Sequence, residues 1–284
     1  MNDNPRQPLV SIITPVYNGM PFLTELIESV RGQNYPNIEH IVIDDGSKDD
    51  GATVRALERY PTVTWWTREN KGQYETQNEG LAASTGAIVT IISADDLYAR
   101  PDAVSSAVDY LQANKRFDCV FGRVLDIAED GEVLDPQTRL SGRWVATLMG
   151  MYLFVPHCGL FFRRAAIERA LVRFDPSYKY AGDWEWMLRL RRSGAAFGYI
   201  DKEIACYRLH GGQTTHATGA ARIRAEHRRV CRSHGTSYVG HVAIQTAVDL
   251  RSIALKTVRL VRREGVGSLA PAIRDWVSRR TVRS

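Results

Sequence analysis

At 284 residues, 44% hydrophobic and 24% charged, the chain has the balance of a globular protein. That excludes a disordered or fibrous chain and leaves room for one large α/β domain, with or without an appendage. The net charge of +5 is unevenly spread: residues 219–284 carry 14 Lys/Arg against 4 Asp/Glu, a net +10, so the first 218 residues are −5.

The opening MNDNPRQPLV has no basic stretch leading into an apolar one, so no signal peptide is read. The longest nearly apolar window, Trp144–Pro156, has 13 residues, against the ~20 that a membrane-spanning helix needs. Cys119, Cys158, Cys206 and Cys231 form no CxxC pair, which predicts free thiols rather than a zinc knuckle or a disulfide framework. A cytoplasmic protein is expected.

Leu9–Pro15 (LVSIITP) predicts a buried strand, and Pro21 opens a helix with Phe22, Leu23, Leu26, Ile27 and Val30 on one face. Glu39–Ile43 is the next strand, followed by a helix over Gly51–Arg59, a strand at Val63–Trp66, a helix over Gln73–Ala83 and a strand at Ala87–Ser93. Strands separated by single helices imply right-handed βαβ units and a parallel sheet. A helix over Pro101–Asn114, a strand at Cys119–Gly122 and an Asp-Gly hairpin turn within Ala128–Val133 come next. Gly159–Phe162 reads as a strand, Arg164–Leu171 and Asp183–Arg191 as helices, and Gly198–Ile200 and Ala205–Leu209 as two further strands. Beyond Gly219 the pattern is helical and basic.

The polar clusters follow the strands. Tyr17–Asn18, Asp44–Asp45 and Asp95–Asp96 each stand at a strand's carboxyl end, where open α/β sheets bind ligands. Adjacent carboxylates repel unless a cation or hydrogen bonds compensate, and an oxygen-rich set suits Mg2+ or Mn2+. Each acidic pair alone is also what an ordinary capped turn looks like, and Tyr17 alone is equally a core aromatic.

In this order, SIITPVYN, IVIDDGSKDD, NKGQYETQNEGLAASTG and ISADDLY, followed by PHCGLFFRR, AGDWEWMLRL and YRLHGG, resemble the family-2 glycosyltransferases over residues 11–213. The resemblance implies the GT-A fold: a Rossmann-type, mostly parallel sheet flanked by helices over residues 1–215, followed by a helical basic extension over 216–284. It implies an inverting enzyme that moves a sugar from a nucleoside-diphosphate sugar, a UDP-sugar by preference, to a hydroxyl acceptor in cell-surface polysaccharide or glycolipid synthesis. Pro15 and Tyr17 would line the base pocket and Asp45 would bond the base. Gly72 and Asn78 would cross the donor site, and Asp95 would meet the ribose. Asp96, with His210 as a further ligand or diphosphate contact, would hold the Mn2+ or Mg2+. Asp183 would be the catalytic base, with Glu185 as an alternative, and Trp184 and Trp186 would stack on sugars. His157 and Arg163 are further candidates for acceptor or phosphate contacts. Two positions depart from the family pattern: Ala94 replaces the first Asp of the D-x-D element, and Gly182 precedes Asp183 where many relatives carry Glu.

Leu250–Arg263 mixes apolar and basic residues at helical spacing, and Ala272–Arg280 adds a second such stretch. Such a helix lies on an anionic membrane surface, which fits a glycan or lipid-linked acceptor, or else packs on the domain or on a second copy in a homodimer. No nucleic acid partner is expected. One rival is a sugar-nucleotidyltransferase, which needs a Gly-rich, Lys/Arg-bearing loop that TPVYNGMPF lacks. Another is a non-catalytic carbohydrate- or polyanion-binding protein, against which Asp45, Asp96 and Asp183 stand together.

Overall fold

The computed structural model describes residues 7–135, 142–148, 155–213, 220–248, 250 and 254. Their centre is one sheet of nine strands. In chain order these are β1 (Val10–Val16), β2 (Ile38–Asp44), β3 (Thr64–Thr67), β4 (Ile88–Ile91), β5 (Leu97–Tyr98), β6 (Cys119–Ile127), β7 (Val133–Asp135), β8 (Leu160–Arg163) and β9 (Phe197–Arg208). They lie side by side as β3-β2-β1-β4-β8-β6-β9-β5, with β7 against β6. The helices are α1 (Phe22–Arg31), α2 (Ala52–Leu57), α3 (Gln73–Ala83), α4 (Ala103–Ala113), α5 (Arg143–Leu148), α6 (Arg164–Ala170), α7 (Gly182–Arg192) and α8 (Ala220–Ser233). Residues 238–248 are also helical.

The first four strands are parallel, as the alternating pattern predicts. Their register sets Val16 beside Asp44, and Asp44 beside Thr67, so the polar clusters share one edge. Beyond β4 the sheet is mixed: β8 runs antiparallel to β4 and β6, while β6 and β9 are parallel. The two short strands expected after residue 197 are one. Asp201 and Lys202 are exposed midway along β9, and that polar pair reads as a turn in sequence.

Helix α1 buries the five apolar residues expected of it. Helix α3 differs, because its buried face holds Thr76, Gln77 and Asn78 beside Tyr74 and Gly80. Gly80 lets it lie against β1, since a Cβ there would sit 2.3 Å from a methyl of Ile13. Thr76 and Asn78 bond Arg68 and Phe174, which makes α3 a connector rather than an apolar slab, while Gln77 Oε1 has no hydrogen-bond partner.

Among the described residues, α8 and the helix over 238–248 pack on the main core. Val230 and Cys231 are buried in the main core, with Tyr238, Ile244 and Val248 packed on it. All four cysteines are free and buried. Among the described residues no helix is long and apolar enough to cross a membrane. The candidate amphipathic stretches Leu250–Arg263 and Ala272–Arg280, apart from Leu250 and Ala254, and residues 149–154 of the Trp144–Pro156 window lie outside the described residues.

His40, in the middle of β2, is buried, with Nε2 3.0 Å from Thr14 Oγ1 and no partner for Nδ1. Burial lowers its pKa to about 4, against about 6.5 in an unfolded chain. Below pH 6.5 the unfolded chain therefore takes up a proton that the folded one refuses, so stability is full above that pH and is lost towards pH 4. By pH 5 the loss from this residue is about 2 kcal/mol. Urea titrations at pH 7 and pH 5 should show it, and His40→Gln should flatten the difference by that amount.

Candidate active site

At the carboxyl edge, the loop after β1 is tied to the loop after β2. Asn18 accepts the Lys48 N–H at 2.7 Å, and its own N–H bonds Ser47 Oγ at 2.7 Å. Asp44 is held by Ser47 and Thr67. Gly46 turns the chain at φ 72°, where an added Cβ would meet the Arg68 carbonyl at 2.8 Å. Tyr17 is 47% exposed, so it is not a core aromatic, and Pro15 is half-buried.

Asp45, expected to bond the base, is braced by the chain around it. It is buried, with Oδ1 accepting Arg68 Nη1 and the Lys71 N–H at 2.8 Å, and Oδ2 accepting the Gly72 N–H at 2.9 Å. It shapes the loop that enters α3. Arg68, which sequence reading passed over, also bonds Glu79 and Thr76. Asn78 likewise does not face the edge: its amide oxygen accepts the Phe174 N–H at 2.8 Å and its amide nitrogen donates to the Phe174 carbonyl at 2.9 Å. Gly72 stays on the edge, at φ 88° before α3, with open space around it.

Asp95 and Asp96 diverge. Asp95 is partly exposed and its Oδ2 lies 3.0 Å from His210 Nε2. That bond, more than the opposing effect of burial, raises the His210 pKa. His210 rests on the Phe22 ring, 4.7 Å between centroids. Asp96 is buried: Oδ1 accepts the Arg208 N–H at 3.2 Å, and Oδ2 has no hydrogen-bond partner. Burial and then the Asp95 charge push its carboxyl up to about 7, against the pull of His157, the Arg208 N–H and the Cys158 thiol.

Arg208 organises this corner. It is fully buried, its guanidinium donating to the carbonyls of Asp95 and Glu129 and to Glu25 Oε2, with Phe22 beneath it. In the sequence it is one letter of YRLHGG, and no spacing rule marks it as buried.

A buried carboxylate oxygen with nothing to bond is costly unless a proton or a cation joins it. Among the described residues no three His, Cys, Asp or Glu side chains already converge as a cage. Asp96, with Asp95 and His210 close by, is a partial oxygen-rich set. It fits Mg2+ or Mn2+, which keep several ligands from water and phosphate.

Asp183 lies in the first turn of α7. Its Oδ1 accepts the Trp184 N–H at 2.8 Å, and its Oδ2 is 4.0 Å from His157 Nδ1. His157 Nε2 in turn lies 3.0 Å from Ser93 Oγ, two residues before Asp95. Burial opposes a charge on His157, but Asp183 first and then Asp96 and Asp95 outweigh it, and its pKa is raised. One imidazole thus links the base candidate to the carboxylate pair.

Glu185 is no alternative base. It is buried in a two-pronged pair with Arg189 and is also bonded to His234. Trp184 and Trp186 are core residues rather than sugar platforms: Trp184 stacks on His241 at 4.4 Å and Trp186 on Phe174 at 4.6 Å. Arg163 points away from the site, to the carbonyls of Phe117 and Leu111. A cavity of about 630 Å³ lies at the opposite ends of β6 and β9, beside Tyr110, Arg116 and Arg191, and shares no residue with the carboxylate cleft.

The sequence model described as "Glycosyl transferase family 2" matches residues 11–169. A relative in Rickettsia typhi, named as an uncharacterized glycosyltransferase, is 31% identical over 76% of this chain and 68% of its own. A glycosyltransferase named in the same way in Haemophilus influenzae is 29% identical over 87% of this chain and 79% of its own. Among solved structures, TarS residues 1–349 of S. aureus in complex with UDP-GlcNAc superposes with TM-score 0.62, at 18% identity, over 78% of this chain and 66% of that one. The mannosyltransferase PcManGT of Pyrobaculum calidifontis, in complex with GDP-Man and Mn2+, gives TM-score 0.61 at 19% identity, over 95% of this chain and 80% of that one. The sheet and its flanking helices are those of the GT-A fold, and the chain belongs to glycosyl transferase family 2 and is a glycosyltransferase.

Proposed function

We propose that this glycosyltransferase takes a sugar from a UDP-sugar and attaches it, with inversion, to a hydroxyl of a glycan or lipid-linked acceptor. The observation that carries this reading is the linkage of Asp183 through His157 to the turn bearing Asp95 and Asp96, which sets a proton acceptor beside a donor site. Tyr17 and Pro15 receive the base and Asp95 the ribose. Asp96, with His210, would hold Mn2+ or Mg2+, which when bound neutralises the charge gathering on the departing diphosphate. Asp183 takes the proton of the acceptor hydroxyl as its oxygen bonds the anomeric carbon. The bond from that carbon to the diphosphate oxygen breaks on the opposite face. His157 orients Asp183 throughout.

The basic C-terminal segment supports a setting at the cytoplasmic face of an anionic membrane, in surface polysaccharide or glycolipid synthesis. The test is turnover of UDP-glucose, UDP-galactose and UDP-GlcNAc with Mn2+, followed by proton NMR. Release of UDP with the opposite anomeric configuration in the product supports the reading. A retained configuration contradicts it.

A further inference from the structure

Helix α7 begins without a cap of its own. The residue before it is Ala181, whose side chain accepts nothing, although the first N–H groups of a helix need acceptors. Within the helix Asp183 Oδ1 accepts the Trp184 N–H; the acceptors for Gly182 and for the turn just before the helix come from two other helices. The Tyr74 hydroxyl of α3 accepts the Gly182 N–H at 2.9 Å. Glu226 of α8 accepts three successive N–H groups, those of Lys179, Tyr180 and Ala181, at 2.8, 2.7 and 2.9 Å. Three amides converging on one carboxylate form a nest, in which charge-assisted bonds are strong.

Around these bonds the segment before α7 is gripped on both sides. From α3, Gln73 bonds the Lys179 carbonyl and Asn78 bonds both backbone groups of Phe174. From α8, Arg229 bonds Ser177 and lies 4.0 Å over the Tyr178 ring. Gly182, the departure from the family's usual Glu, belongs to this arrangement, since an added Cβ would stand 2.6 Å from the Tyr74 ring. Helix α3 is itself anchored at its start by Asp45, through the Gly72 N–H.

We infer that Tyr74 and Glu226 are positioning residues for Asp183, and that α8 is part of the catalytic module although it lies beyond the family match. Tyr74 ties the base to the helix that opens on the donor loop, and Glu226 fixes the turn from which the base projects. A base displaced by a fraction of an ångström loses much of its effect, so the clamp acts on turnover rather than on donor affinity. The inference rests on the reading of Asp183 as base.

The test uses the full chain with Tyr74→Phe, Glu226→Gln, Gly182→Ala and Asp183→Asn, and two readouts. Amide hydrogen exchange across residues 179–183, which needs no donor, should speed up selectively in the first three variants. UDP release from the same three UDP-sugars should fall about 10- to 100-fold in kcat, with KM for the donor within twofold of wild type. Glu226→Gln, which keeps an acceptor but not the charge, should be less impaired than Glu226→Ala. Wild-type kcat in Tyr74→Phe and Glu226→Gln alongside an inactive Asp183→Asn overturns the clamp and leaves the base reading intact, as does unchanged exchange at 179–183. Wild-type turnover in Asp183→Asn instead removes the base reading itself.

Discussion

Replacing Asp183 by Asn lowers turnover about a thousandfold and leaves nucleotide affinity unchanged. General-base catalysis is worth about 10²–10⁴ in rate, and the amide is nearly the size of the carboxylate but takes no proton. The substitution should cost little stability, because the amide oxygen still accepts the Trp184 N–H and only the charge assistance of that one bond is lost. Glu185 provides no substitute. Two residues apart on a helix is about 200° of rotation, so when Asp183 faces the cleft Glu185 faces Arg189 and His234. Steady-state kinetics beside equilibrium UDP binding reads both halves of the expectation. Loss of UDP binding in step with turnover would assign Asp183 to the donor instead.

Asp96→Asn has the opposite signature. It should reduce Mn2+-dependent UDP affinity at least about tenfold, as loss of one charged ligand implies, while affinity measured in EDTA barely moves. Without metal the variant should be at least as stable as wild type near pH 8, where the native carboxylate is buried and ionised with one oxygen unpartnered. Thermal melts in EDTA and titrations in Mn2+ separate the two effects. A variant that binds UDP with wild-type Mn2+ dependence would move the cation away from Asp96.

Much of this architecture is legible in the sequence, for physical reasons. The first four parallel strands are apolar runs bounded by turn residues; β1 is followed by Tyr17 and Asn18 beyond its last buried position, and β2 ends in the buried pair Asp44–Asp45. Helix α3 begins and ends where its flanking residues predict. Strand β5, at two residues, is too short to show a period. The site is legible by residue type and less so by task. Asp45 and Asp95 follow strands and Asn78 lies within α3, and only the fold separates those that brace loops from the one that is partly exposed. Trp184 and Trp186 read as sugar platforms because two tryptophans beside a catalytic carboxylate suit that role, yet both are buried, on different sides of α7. The hardest features to see are the long-range ones. Glu226 and Arg229 look like charges on a solvated basic helix, and nothing local links them to a turn almost fifty residues earlier. Arg208 has no local mark either, because its acceptors are carbonyls and a carboxylate up to 183 residues away.

The edge bearing Tyr17, Asp95 and Asp96 is proposed to bind a uridine diphosphate group through a divalent cation. Isothermal titration of the full chain with UDP, GDP and dTDP, each in Mn2+ and in EDTA, measures this directly. UDP should bind tightest in Mn2+, and EDTA should weaken it at least about tenfold. Equal affinity for all three nucleotides, or UDP binding indifferent to EDTA, would contradict it.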